Sequence, residues 1–135
     1  MEDIKRFIKK DKFCMFIGIE LTEVSEGHAK AKLDIKEHHL NGVGIVQGGA
    51  IFTLADLAFA AASNSHGTVA VGINTSISYV TAVSGGTLYA EAREISVNHK
   101  IGTYTVDVTN EKGQMIAIFQ GMVYRKKDPL DLSGT

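Results

Sequence analysis

The sequence predicts an α+β domain in which one long helix lies against an antiparallel sheet, and three features of its 135 residues carry that prediction. Residues 50–62, AIFTLADLAFAAA, are almost continuously apolar. That run falls short of the roughly 20 residues needed to cross a bilayer, so it reads as a buried helix of a folded domain. The runs before and after it alternate apolar with polar residues at period two, the signature of half-buried strands. The connections between the later runs are short, which antiparallel neighbours allow and parallel neighbours do not. The length suits a single domain spanning 1–135.

In chain order, Ile4, Phe7, Ile8 and Phe13 recur at near-helical spacing among charges, so residues 1–14 form an amphipathic helix placed as a lid or bracket. From Ile17 the period becomes two, with Ile17, Ile19 and Leu21 alternating with Gly18, Glu20 and Thr22. Ser25, Glu26 and Gly27 supply a turn, and Ala29, Ala31, Leu33 and Ile35 then alternate with lysines and an aspartate to complete a hairpin. Residues 37–47, EHHLNGVGIVQ, keep neither period and read as a loop entering the helix at 48–65. Four further strands are expected at 69–80, 87–97, 104–109 and 115–124, joined as a meander.

Composition narrows the function. Fourteen Lys and Arg against fifteen Asp and Glu give a net charge of -1, so no basic field exists to hold nucleic acid or an anionic membrane surface. The single cysteine, Cys14, makes no internal disulfide, and the N-terminus lacks the continuous apolar stretch of a secretory signal. Both point to a reducing cytoplasm. The histidines, at 28, 38, 39, 66 and 99, show no metal-ligand spacing, so no metal and no cofactor is expected. Gly42-x-Gly44-x-x-x-Gly48 is one residue too long for a dinucleotide fingerprint and follows a loop rather than a strand.

The long helix has almost no polar face, and a helix apolar all round is buried all round. One sheet covers one side, so a homo-oligomer, dimer or tetramer, is expected to cover the rest. Asp56 lies in the middle of this helix with Thr53, Ala60 and Ser63 on its stripe and no cation within a turn. A carboxylate taken out of water is costly, so Asp56 is either water-contacting at a gap in the interface or a catalytic base or nucleophile. At the helix start, Gly48 and Gly49 follow Gln47. Unpartnered N–H groups and the positive end of the helix dipole there suit an oxyanion, although two glycines also serve simply to turn a loop into a crowded core. Eight residues separate Gly48 from Asp56, about 12 Å along a helix, too far for both to reach one carbonyl group from one chain. Two antiparallel helices about a twofold axis would bring them together as two composite sites.

The string HLNGVGIVQGGAIFTLADLAFAAASNS resembles the signature of hotdog-fold acyl-CoA thioesterases of the phenylacetate-degradation (PaaI) type, in the 4-hydroxybenzoyl-CoA thioesterase superfamily. Asn41-Gly42, Gly48-Gly49 and Leu54-Ala55-Asp56 carry the resemblance, which extends over nearly the whole chain. It implies a sheet curled around the central helix. It also implies that Asp56 acts as general base or nucleophile, that the Gly48 N–H polarises the thioester carbonyl, and that Asn41 orients water or substrate. Gln47 stands where that family usually carries histidine; glutamine can donate a hydrogen bond but does not change protonation near neutral pH. Gly49, Thr53, Ser63 and His39 are the expected substrate contacts, with His38 and His39 otherwise solvated loop histidines. Lys100 and Arg125 are candidates for the coenzyme A phosphates, with Lys126 and Lys127 as weaker ones that otherwise form a solvated end of the last strand. The implied substrate is an acyl-CoA with a small aromatic or medium-length acyl group. The competing expectation is a module that binds acyl-CoA without hydrolysing it, and a hydratase on the same fold is disfavoured because the helix supplies no histidine.

Overall fold

A computed structural model of the chain describes residues 1–134; Thr135, the last residue of the expected domain, lies outside the described residues. Six strands form one antiparallel sheet: β1 (Glu20–Ser25), β2 (His28–Asp34), β3 (Thr68–Tyr79), β4 (Thr87–Val97), β5 (Ile101–Thr109) and β6 (Met115–Pro129). Their spatial order is β1-β2-β4-β5-β6-β3. The long helix α3 (Gly48–Asn64) packs on the concave face, against β2, β4, β5 and β3. This is the hotdog architecture. Among the described residues no helix is long and apolar enough to cross a membrane.

The period-two pattern does the work expected of it. In β2, Ala29, Ala31 and Leu33 are buried while the intervening lysines point outward, and β5 buries Tyr104, Val106 and Val108 in the same way. Leu54, Leu57 and Phe59 of α3 enter this surface. Phe59 stands edge-on to Tyr104 at 5.7 Å between ring centroids and tilted to Phe119 at 5.5 Å. Its ring fits because β6 has glycine beneath it: a Cβ built on Gly121 would lie 2.6 Å from Phe59 Cζ. The helix end is tied down by side chains, with Asn64 Oδ1 accepting from the Ala70 N–H at 2.9 Å and Ser65 Oγ accepting from the Gly27 N–H at 2.8 Å.

Three expectations are corrected. The helix expected over 1–14 is two helices, α1 (Glu2–Ile8) and α2 (Lys12–Ile17), because Asp11 caps a new start by accepting from the Cys14 N–H at 2.9 Å. Ile17 therefore closes a helix, Gly18 follows in the left-handed region, and the first strand begins only at Glu20. The four later strands are not one meander: β4, β5 and β6 are, but β3 pairs with β6 at the sheet edge and not with β4. Residues 80–86 reach up to roughly 23 Å when extended, whereas three strand spacings amount to about 14 Å, so a short connection does not compel neighbours to pair.

Candidate active site

The concave sheet, α1 and α2 bury most of α3 and leave one stripe half-open, comprising Gly49, Phe52, Thr53, Asp56 and Ala60. Helical spacing puts all five on one face. Beside its N-terminal half lies a cleft of about 490 Å³, with Phe13 and Ile17 from α2, Phe52 and Thr53 from α3, Gln47 at the helix start and Tyr79 at the end of β3 among its lining residues. Its wall is mainly apolar and aromatic, with polar groups gathered at the Gln47 end.

The start of α3 is defined by Gln47. Its side-chain Oε1 accepts from the Gly49 N–H at 2.5 Å, while its carbonyl accepts from Ala50 at 2.9 Å. Because Gly49 N–H is a donor, the Gln47 amide must present oxygen to it, leaving Nε2 as a donor. The Gly48 N–H has no partner among the described residues. Thr53 closes the first turn, its hydroxyl donating to the Gly49 carbonyl at 2.7 Å.

Asp56 sits one turn beyond Thr53 on the open stripe, half-buried, and no described residue bonds its carboxylate. Burial, and secondly the like charge of Asp11 on α2, hold its carboxyl above the usual carboxylate range. Cys14 occupies the same region but is a thiol at neutral pH, pushed up to about 12 by burial and its contact with Asp11.

His39 is not a solvated loop histidine. It is 3 % exposed, and both ring nitrogens are engaged: Nδ1 accepts from the Lys36 N–H at 2.9 Å, so Nε2 carries the proton that it donates to the Ile17 carbonyl at 2.7 Å. It is among the residues lining the cleft, and the ring of exposed His38 lies tilted against its own with centroids 4.2 Å apart.

The fold thus gathers Gln47, Gly49, Thr53 and His39 around one cleft, with Gly48 and Asp56 on the adjoining helix. It does not bring Asn41, Ser63 or Lys100 there. Asn41 Oδ1 accepts from Val43 and Ile45, holding the loop's own turn. Ser63 is buried, with its hydroxyl donating to the Ala60 carbonyl. Lys100, in the β4–β5 turn, accepts at its carbonyl from Arg125, which is paired with Ala70; Tyr79 lies nine positions along β3, roughly 30 Å away. No cluster of three metal-ligating side chains occurs among the described residues. Tyr79 and Phe13 were not anticipated at the site. Both carry only periodic apolar patterning in the sequence, which identifies a face but not a cleft.

Residues 43–117 match the thioesterase superfamily. A candidate esterase of Archaeoglobus fulgidus is 42 % identical over 127 residues, covering 93 % of this chain and 82 % of that protein. The acyl-coenzyme A thioesterase PaaI of Escherichia coli is 33 % identical over 110 residues, 81 % of this chain and 79 % of its own length. The solved structure of Escherichia coli PaaI superposes with a TM-score of 0.92 at 28 % identity, covering 96 % of this chain and 95 % of that one. A Streptococcus mutans protein solved with acetyl-CoA is similar at a TM-score of 0.80 and 27 % identity, over 84 % of this chain and 93 % of its own. The fold and these relatives define a hotdog protein of the thioester-hydrolase class. The chain belongs to the thioesterase superfamily.

Proposed function

We propose that the protein hydrolyses acyl-CoA thioesters carrying a compact aromatic or medium-length acyl group, releasing the carboxylate and free coenzyme A. The observation that carries this reading is a half-buried, unpaired Asp56 on the open stripe of α3, next to a cleft whose walls include Phe13, Phe52 and Tyr79. Such a carboxylate, poorly hydrated and without a cation to neutralise it, is a stronger base or nucleophile than a solvated one. The free Gly48 N–H at the positive end of α3 suits the oxygen that gains charge as the carbonyl is attacked. The chemistry asks for no metal or cofactor, coenzyme A being part of the substrate, and the single buried thiol is compatible with a reducing cytoplasm.

Gly48 and Asp56 of one chain stand about 12 Å apart along the axis, so the working site takes them from two copies. The twelve-residue edge strand β3 supports this arrangement: no described strand pairs with its outer side, and Val71, Ile73, Tyr79 and Val80 at and beside it are exposed. Antiparallel addition of a second β3 about a twofold axis would set the open stripes of two α3 helices facing each other in opposite directions. The same operation would carry the second copy's Lys100 toward the Gly48 end of the first, where it could meet coenzyme A phosphates.

The test is release of thiol from a panel of acetyl-, hexanoyl-, benzoyl- and phenylacetyl-CoA, followed by mixing of chains. Asp56→Asn and Gly48→Leu chains should each be inactive. Co-refolded in equal amounts they should regain about a quarter of wild-type turnover, since half of the dimers are mixed and each of those holds one intact site. No recovery sinks the shared site; tight acyl-CoA binding without thiol release sinks hydrolysis in favour of a binding module.

A further inference from the structure

We infer that Tyr79 is a positioning residue for thioester hydrolysis, acting with Gln47 to fix the Gly48–Gly49 peptide so that the Gly48 N–H, which no described residue engages, is presented in a fixed direction at the start of α3. The inference rests on the proposed function and adds a role to two side chains of the same cleft. The Gly48–Gly49 peptide is held at both ends: its carbonyl accepts from the Tyr79 hydroxyl at 3.0 Å, and its N–H donates to Gln47 Oε1 at 2.5 Å. The preceding peptide is held by its carbonyl alone, on Ala50 at 2.9 Å and Ile51 at 3.4 Å. Its N–H, which belongs to Gly48, has no partner among the described residues.

The two glycines are matched to these clamps. A Cβ on Gly48 would lie 3.0 Å from Tyr79 Cζ and 3.1 Å from its hydroxyl, and one on Gly49 would lie 2.8 Å from Gln47 Oε1. Neither side chain could keep its hydrogen bond against an added methyl group without shifting. Glycine here therefore serves the approach of Tyr79 and Gln47 as well as the approach of a substrate. Without the clamps, a pair of glycines at a helix end is the most pliable backbone available. A donor that wanders by an ångström loses much of its stabilisation of the developing charge. This also gives Gln47 a use that does not require titration. Its carbonyl oxygen caps the helix while its Nε2, with no partner among the described residues, remains a donor.

Tyr79 is 52 % exposed at the end of an edge strand, so loss of its hydroxyl should hardly disturb folding. That separates positioning from support. The experiment compares wild type, Tyr79→Phe, Gln47→Ala and the double variant on the best CoA ester of the panel, reading kcat, KM and Tm. Tyr79→Phe should lower kcat about tenfold, with KM changed less than about twofold and Tm within a degree or so. The double variant should fall no more than about twofold below the worse single variant, because both hold one peptide. Unchanged kcat in Tyr79→Phe, a loss confined to KM, a large fall in Tm, or losses that multiply in the double variant would each overturn the inference while leaving hydrolysis intact. An inactive wild type would instead overturn the proposed function, and this role with it.

Discussion

His39 Nε2 donates to the carbonyl of Ile17 at 2.7 Å, joining the loop that enters α3 to the last residue of α2. The His39 carbonyl in turn accepts from the Gln47 N–H at 2.8 Å, so one buried histidine links α2, a wall of the cleft, to the start of the central helix. His39→Ala removes both ring contacts and leaves two part-buried backbone groups without these partners, with an expected loss of about 1 kcal/mol or more in stability. KM for acyl-CoA should rise as α2 loosens. Urea unfolding and steady-state kinetics check it; unchanged stability with unchanged KM would show that α2 holds its place without His39.

Asp56→Asn should reduce turnover by about 10²- to 10⁴-fold, the usual worth of a positioned general base. Stability should move the other way. The folded-state pKa of Asp56 is raised by burial and by Asp11, so the native state holds a proton that the unfolded chain releases. The contribution of this group is favourable at low pH and is lost as pH rises from the unfolded toward the folded value. At neutral pH the amide therefore relieves a cost, and the expected outcome is a higher Tm together with a dead enzyme. A Tm that falls would mean that the carboxylate has a stabilising partner in the assembled protein.

Asp11→Asn isolates the second cause of that shift. Asparagine can still accept from the Cys14 N–H and cap α2, but it removes the negative charge facing Asp56. Asp56 should then titrate lower, and the acid limb of the kcat/KM profile should move to lower pH. An unmoved limb would exclude Asp56 as the group that titrates there.

Cys14 tests whether the neighbouring thiol takes part. Its pKa of about 12 leaves almost no thiolate at neutral pH, and its side chain is buried. Iodoacetamide should label it slowly in the native protein and readily in urea, and Cys14→Ala should retain activity at some cost in stability. Rapid native labelling coupled to inactivation would point to a cysteine nucleophile instead.

Gly121→Ala would drive a methyl group to 2.6 Å from the Phe59 ring, with a destabilisation of about 1–3 kcal/mol expected from such overpacking. Adding Phe59→Leu should return part of that loss, as thermal melts of the single and double variants would show. Independent effects would mean that the ring moves aside without help.

The sequence made the central helix legible because eleven of its positions are apolar and Asp56 is not, a contrast that needs no tertiary information. The same holds for the strands β2 and β5, where alternation is clean. The edge position of β3 was hidden because the length of the 80–86 connection permits either a hairpin or a crossing. The break between α1 and α2 was hidden because Asp11 carries both a cap signal and an ordinary helix-surface charge. At the site, motif spacing located Gly48 and Asp56, but Tyr79 reaches Gly48 across 31 residues of sequence, and no local pattern encodes such a contact. Asn41 shows the opposite failure: an asparagine in a site loop looks like a ligand, yet its oxygen shapes the loop itself.

The place of β3 at the edge of the sheet sets a schedule for biosynthesis. The strand leaves the ribosome well before the one described strand to which it is hydrogen-bonded, for Thr68 is matched with Pro129 and Tyr79 with Ala117. Until β6 has been made, β3 has no described strand beside it, and Val71 and Ile73, exposed even in the finished fold, are open to other nascent chains. β6 lies between β5 and β3 and is the last strand to be made, so the sheet cannot be complete before it is. The yield of folded protein should therefore depend on how soon β6 follows β3 during synthesis.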